Sequence, residues 1–91
     1  MVEKTAVVKN SAGIHVRPSG VIIEAVKQFS ASISAEANGF SVELNSVMSL
    51  LSLGLVQGDE VRLRVDGKGE EETADRLVEL FERDYDFPPR Q

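Results

Sequence analysis

Residues 31–44 read Ala-Ser-Ile-Ser-Ala-Glu-Ala-Asn-Gly-Phe-Ser-Val-Glu-Leu, with apolar and polar side chains alternating on both sides of a central Asn-Gly pair. Alternation with a period of two is typical of a half-buried β-strand, so we predict strands over 31–36 and 40–44. Asn38 and Gly39 both tolerate the positive φ of a type I′ turn, which is a favoured two-residue link in hairpins. The segment therefore predicts an antiparallel β-hairpin.

The sequence on both sides of this hairpin supplies two further alternating segments and three segments with helical spacing. Because each strand alternates, one face of the sheet is expected to be buried and the other to be wet. This pattern is typical of an α+β fold in which helices cover one side of an antiparallel sheet, in the order β-α-β-β-α-β-α. The additional predicted ranges are strands 2–9 and 60–66 and helices 16–28, 46–53 and 70–83.

Composition limits the functions that this chain can have. Its 91 residues fit one small domain, and a net charge of −5 disfavours direct binding to nucleic acid. No cysteine is present, which excludes disulfides and thiolate metal sites, and a single histidine excludes a multi-histidine metal site within one chain. We expect no metal and no cofactor. No apolar run is long enough for a signal peptide or a membrane span, so we expect no membrane association and a cytoplasmic location.

The only histidine lies in residues 13–19, which read Gly-Ile-His-Val-Arg-Pro-Ser. Pro18 is favoured in the first turn of a helix, so His15 is expected just ahead of a helix N-terminus, where N–H groups and the helix dipole attract anions. A neutral imidazole is a nucleophile, and Arg17 is suited to pair with phosphate oxygens. This arrangement favours a phosphoryl carrier over a complete enzyme. The alternative is that His15 is a surface or capping residue and that Arg17 is merely solvated.

The predicted helix 46–53 has more apolar surface than a short helix needs for docking on its own core. Serines recur at every third position, and the remaining side chains cover an arc of about 220°, whereas an apolar stripe a little over about 100° wide is sufficient. We therefore expect part of this helix to be exposed as a partner surface, the alternative being that all of it is core. Ser46 either caps the helix, in competition with Asn45, or is a phosphorylation site whose added charge repels an acidic partner.

These two segments resemble the HPr family, the histidine-containing phosphocarriers of the phosphoenolpyruvate-dependent sugar phosphotransferase system. Residues 13–18 look like the family's active-site motif, and residues 44–54 resemble its second signature, around a regulatory serine. The spacing between them matches without gaps, and the likeness runs from about residue 2 to residue 83. It implies an open-faced β-sandwich with a four-stranded antiparallel sheet and three helices on one face. We expect an HPr-like domain over 1–84 and a C-terminal tail, 85–91, that is extended or mobile, or whose aromatic residues pack back on the domain.

The resemblance also implies roles for individual residues. His15 would take a phosphoryl group on Nδ1 from phosphorylated Enzyme I and pass it to an Enzyme IIA domain, while Arg17 would steady the group. Ser46 would match the serine that the ATP-dependent HPr kinase/phosphorylase modifies, and a transcriptional regulator would then be a further partner in carbon catabolite regulation. The implied molecule is a monomeric carrier and not an enzyme. The residues implied to dock the partners are Ile14, Val47, Met48 and Leu51.

Four residues depart from the common form of the family motifs. Val16 and Ser19 stand where alanines are common, Gly20 follows Ser19, and Ser49 stands where glycine is common. Gly20 would allow a close backbone approach.

Two other functions compete with the carrier. The first competing function is a regulatory module of the same fold, controlled through Ser46 without sugar transport. The second is an unrelated small-ligand domain, which would show a pocket.

Overall fold

The computed structural model describes residues 1–85 as a four-stranded, fully antiparallel sheet with three helices. The predicted α+β fold and its element order are confirmed, and the tail prediction for residues 86–91 lies outside the described residues. The elements are β1 (Val2–Val7), α1 (Val16–Val26), β2 (Ser32–Ala37), β3 (Phe40–Glu43), α2 (Val47–Leu51), β4 (Glu60–Asp66) and α3 (Glu70–Glu82).

The strands are arranged in the order β1-β4-β2-β3, so the last strand in the chain lies between the first two. The hairpin of β2 and β3 closes at Ala37, which pairs with Phe40. Between them Asn38 has a φ of 52° and Gly39 a φ of 82°, the two positive values that a type I′ turn requires. The predicted hairpin and its turn are confirmed.

Strand β4 shows why one face of the sheet is buried and the other is exposed to solvent. Val61, Leu63 and Val65 are fully buried on the inner face, as the alternation predicts. Arg62 and Arg64 point to the outer face, where they form ion pairs with carboxylates of the neighbouring strands. The open face is therefore polar and the core lies between the sheet and the helices.

Each helix buries one face in the core. Helix α3 packs on β1 and β4 and buries Leu77, Leu80 and Phe81. In α1, Ile22 and Ile23 are buried, whereas Ala25 and Val26 are only partly buried. The buried residues of α1 are Pro18, Ser19, Ile22 and Ile23, so the middle of the helix anchors it to the core.

Two sequence expectations about single residues are wrong. Phe40 belongs to the apolar alternation of β3, yet it is 62% exposed because it begins a short strand at the edge of the sheet. Gly20 does not permit a close approach, since a Cβ placed there would meet no atom within 4 Å outside its own helix and neighbours.

Candidate functional site

The loop ahead of α1, residues 10–14 (the His15 loop), is held by backbone and side-chain hydrogen bonds. Gly13 N donates to the Asn10 carbonyl oxygen at 2.9 Å, and Asn10 Nδ2 donates to the Gly13 carbonyl oxygen at 2.7 Å. Ile14 N donates to the Leu55 carbonyl oxygen at 3.1 Å. The residue immediately before His15 is therefore tied to the loop that follows α2.

Gly13 is required at its position for two separate reasons. Its φ of +74° lies in the left-handed region, which side chains with a Cβ rarely adopt. A Cβ built on it would lie 2.5 Å from the Leu55 carbonyl oxygen, well inside van der Waals contact. The close approach of the His15 loop to Leu55 therefore depends on the absence of a Cβ at Gly13.

The loop carrying Leu55 is fixed in turn by Asp59. The Asp59 carboxylate accepts from Val56 N at 2.9 Å and from Asn38 Nδ2 at 3.1 Å. These hydrogen bonds, the one from Val56 first, hold the pKa of Asp59 below its ordinary value because they stabilise the charged form. The hairpin turn, the Leu55 loop and the His15 loop are thus connected in one chain of hydrogen bonds.

His15 is the N-cap residue of α1. Its backbone is extended, with φ −93° and ψ −162°, and its carbonyl oxygen accepts the first helical hydrogen bond from Ser19 N at 2.9 Å. The imidazole does not cap the helix and is exposed. The predicted position just ahead of a helix N-terminus is therefore where the structure places this side chain.

The surroundings of the imidazole suit an anion. The first turn of α1 carries no acidic residue, and the exposed Arg17 lies within it. A helix N-terminus attracts anions through its first backbone N–H groups and the helix dipole, and His15 lies at that end of α1. A phosphoryl group on His15 would meet the positive end of a helix of 11 residues together with a guanidinium group.

Helix α2 begins at a capping box. Ser46 Oγ accepts from Ser49 N at 3.2 Å, and Ser49 Oγ accepts from Ser46 N at 3.4 Å. Ser46, and not Asn45, is therefore the cap, and Ser49 has a structural role as its partner. The Ser46 side chain remains exposed.

Helices α1 and α2 pack against each other and present apolar side chains to solvent. Met48 is 74% exposed and Val16 is 65% exposed, whereas Leu50 and Leu53 of the α2 segment are buried. The expected partial exposure of this segment is confirmed. We define the α1–α2 surface as Val16 together with three residues of α2, namely Val47, Met48 and Leu51, of which Val47 and Leu51 are partly buried.

Ile14 is not part of this surface. Its side chain is only 4% exposed and belongs to the hydrophobic core, so the prediction that it contacts partners directly is wrong. Its side chain instead anchors the His15 loop to the hydrophobic core. Val16 was not among the residues predicted to dock partners, although its place next to His15 is a signal that the sequence contained.

Ser19 carries an unsatisfied polar group close to His15. It is fully buried, and within residues 1–85 its hydroxyl is the buried side-chain polar atom that lacks a hydrogen-bond partner. A buried hydroxyl without a partner loses its hydration with no compensating hydrogen bond.

Replacement of Ser19 by alanine is therefore expected to raise the free energy of unfolding by about 1 kcal/mol, through removal of this hydroxyl and the better helix propensity of alanine. Urea unfolding followed by circular dichroism tests this, with the midpoint rising and the slope unchanged. A lower midpoint for Ser19→Ala would show that the hydroxyl makes a stabilising contact in solution.

Other kinds of site receive little support from residues 1–85. A shallow, polar concavity on the open face of the sheet is lined by residues such as Thr5, Glu36 and Arg62, and His15 does not line it. No group of three or more histidine or acidic side chains in the described part of the chain is placed to hold a metal ion. None of the helices among these residues has the length and apolarity needed to cross a membrane.

Comparison with known proteins gives a consistent match over most of the chain. The family model described as the PTS HPr component phosphorylation site matches residues 2–83. Phosphocarrier protein HPr of Borreliella burgdorferi is 37% identical over 82 residues, which cover 90% of this chain and 95% of the relative. The HPr-like protein Crh of Halalkalibacterium halodurans is 31% identical over 84 residues, which cover 92% of this chain and all of the relative. A crystal structure of HPr from Thermoanaerobacter tengcongensis has a TM-score of 0.83 at 37% identity, covering 89% of this chain and 91% of that one.

Proposed function

Because the chain belongs to the HPr family, we propose that it carries a phosphoryl group on His15 between two proteins of the phosphoenolpyruvate-dependent sugar phosphotransferase system. The donor is phosphorylated Enzyme I and the acceptor is an Enzyme IIA domain. The observation that carries this proposal is the exposed imidazole at the N-terminus of α1, beside Arg17 and with no acidic residue in the first turn.

The transfer step needs no group beyond those that this site and its partners supply. The lone pair of His15 Nδ1 attacks phosphorus, so that a nitrogen–phosphorus bond forms while the bond between phosphorus and the donor group of Enzyme I breaks. The electron pair of the broken bond stays with the donor. Arg17 and the N-terminus of α1 stabilise the charge of the phosphoryl oxygens, and the reverse sequence delivers the group to Enzyme IIA. The protein is thus an intermediate carrier, and the catalytic work is shared with its partners.

The exposed His15 is accessible to a second protein, and the α1–α2 surface supplies the contact area for it. Contiguous apolar patches that are rimmed by polar residues mark protein interaction sites. Met48 is the most exposed member of this surface. We propose that Enzyme I and Enzyme IIA each cover the α1–α2 surface while His15 reacts. Because both proteins use the same surface beside the same nucleophile, they have to bind in turn.

Replacement of Met48 by alanine is expected to raise the KM for Enzyme I about tenfold, which corresponds to about 1.4 kcal/mol of lost docking energy. The kcat of phosphoryl transfer should change little, because Met48 lies outside the His15 loop. Initial rates measured over a range of Enzyme I concentrations separate the two constants. Met48→Leu is the matched control, since it preserves the apolar area, and an unchanged KM for Met48→Ala would contradict the docking role.

The proposed function is tested by incubating the protein with phosphoenolpyruvate, Mg²⁺ and active Enzyme I. Intact mass is measured before and after brief acid treatment. We expect a gain of one phosphoryl group that acid removes, as for a phosphohistidine. A failure to gain phosphate, with the activity of Enzyme I established on another carrier, would contradict the proposal.

A second candidate function is regulation through Ser46, and two observations favour it. Ser46 is exposed at the N-cap of α2, and one relative is the HPr-like protein Crh. A phosphate at this position would add charge next to Met48 and would compete with the capping bond from Ser49 N. Incubation with ATP and an HPr kinase/phosphorylase distinguishes this function, because the phosphate on serine resists the acid treatment.

We propose that the carrier acts in the cytoplasm as a monomer. The exposed His15 has to meet two different partners in turn, and a second copy over the α1–α2 surface would block both. One HPr structure from Thermoanaerobacter tengcongensis is described as a dimer, so light scattering at working concentration is the direct test. A dimer that dissociates when Enzyme I is added would show that the two contacts compete.

A further inference from the structure

The chain beyond α3 returns to the His15 loop. Arg83 leaves the helix in an extended conformation, and Tyr85 N donates to Asn10 Oδ1 at 2.8 Å. The Tyr85 hydroxyl donates to the Leu80 carbonyl oxygen at 2.7 Å. Burial raises the pKa of this phenol further above its ordinary value, which already lies well above neutral pH, and the protonated hydroxyl acts as a donor. Tyr85 is thus fixed at both its backbone and its ring.

Asn10 connects Tyr85 with the His15 loop through the two ends of one amide group. The residue is buried, its Oδ1 accepts from Tyr85 N, and its Nδ2 donates to the Gly13 carbonyl oxygen at 2.7 Å. A side-chain amide has one acceptor end and one donor end. Because only the oxygen can face the Tyr85 N–H, the nitrogen has to face Gly13. The Tyr85 N–H therefore sets the orientation in which Asn10 supports the loop.

A second set of contacts from the same end of α3 restrains the start of this region. Glu82 Oε2 accepts from Val7 N at 2.9 Å, and the Lys9 ammonium lies 3.9 Å from the Glu82 carboxylate. The C-terminal end of α3 and Tyr85 thus hold the segment between β1 and Gly13 on one side, while Leu55 holds Ile14 on the other. The backbone just before His15 is fixed from both directions.

We propose that Tyr85 is a positioning residue for His15, acting through Asn10 and Gly13. The inference rests on the proposed carrier function of His15. Tyr85 lies beyond residues 2–83, to which the family model extends, so the contact comes from a part of this chain that the family match does not include. Its effect is expected on the transfer step and not on docking, because its hydrogen-bond partners Asn10 and Leu80 are not members of the α1–α2 surface.

Two substitutions of Tyr85 in the full chain separate the backbone donor from the side chain. Tyr85→Ala removes the phenol and keeps the N–H, whereas Tyr85→Pro removes both. The difference between them reports the hydrogen bond to Asn10. Asn10→Ala removes the acceptor instead, so in that background the two Tyr85 variants should behave alike.

The first readout is the native-state hydrogen exchange of the Gly13 amide, which needs no phosphoryl transfer. We expect exchange about fivefold faster in Tyr85→Pro than in Tyr85→Ala, the effect of one lost hydrogen bond on local opening. The second readout is transfer from phosphorylated Enzyme I, for which kcat should fall about fivefold in Tyr85→Pro relative to Tyr85→Ala while KM stays the same.

The possible outcomes separate this proposal from the proposed function. Equal kcat values in the two Tyr85 variants overturn the positioning role. If the wild-type protein still accepts phosphate on His15 in the same experiment, the carrier function is unaffected. A difference that persists in the Asn10→Ala background also overturns it, because the effect would then not pass through Asn10. If the wild-type protein accepts no phosphate from active Enzyme I, the carrier function fails first and the positioning role fails with it.

Discussion

His15→Ala is expected to accept no phosphate from Enzyme I under conditions in which the wild-type protein is fully labelled. Alanine has no nitrogen that can form the bond to phosphorus, and the sequence contains no other histidine. Because the imidazole is exposed and does not cap α1, the free energy of unfolding should stay within about 0.5 kcal/mol of wild type. Intact mass measures the labelling and urea unfolding measures the stability.

Ser46→Ala is the matched control for this loss. It removes the other candidate phosphorylation site, costs α2 its cap, and should still be labelled by Enzyme I. A label that survives in His15→Ala and disappears in Ser46→Ala would reverse our assignment of the two residues.

Gly13→Ala is expected to lower the free energy of unfolding by about 3 kcal/mol. A left-handed conformation costs a residue with a Cβ about 1–2 kcal/mol, and movement away from the Leu55 carbonyl oxygen weakens the hydrogen bond from Ile14 N. Displacement of the loop should also slow phosphoryl acceptance, since it leads directly into His15. Urea unfolding measures the first effect, and initial rates at saturating Enzyme I measure the second.

Gly39→Ala isolates the part of this effect that is due to φ alone. Gly39 has a similar positive φ of 82°, but a Cβ there would meet no atom within 4 Å. We therefore expect a loss of about 1–2 kcal/mol and normal phosphoryl acceptance. If Gly13→Ala costs no more than Gly39→Ala and transfers phosphate at the normal rate, the close contact with Leu55 does not position His15.

The parts of the fold that sequence predicts well are those determined by local patterns. The Asn38-Gly39 turn and the alternation of β4 depend on neighbouring residues only, and β4 has the predicted bounds of 60 and 66. The start of α1 is equally local, because Pro18 and the residues before it favour a helix N-terminus at that point. This local signal identifies His15, although the spacing alone does not distinguish a nucleophile from a capping residue.

Contacts between distant residues explain what the sequence could not predict. Ile14 looks like an exposed neighbour of His15, and only the approach of Leu55 shows that it belongs to the core. The link between Asn10 and Tyr85 spans 75 positions and joins two residues that carry no common pattern. The unpartnered hydroxyl of Ser19 depends in the same way on the burial of its whole surroundings.

We propose that the phosphate from phosphoenolpyruvate is bonded to Nδ1 of His15. The most direct measurement is nuclear magnetic resonance of ¹⁵N-labelled protein during incubation with phosphoenolpyruvate, Mg²⁺ and active Enzyme I, with phosphorus and imidazole nitrogen signals recorded together. We predict one phosphorus signal coupled to His15 Nδ1, with the Ser46 resonances consistent with a free hydroxyl. A phosphorus signal on Ser46, or unchanged imidazole signals with active Enzyme I present, would contradict the account.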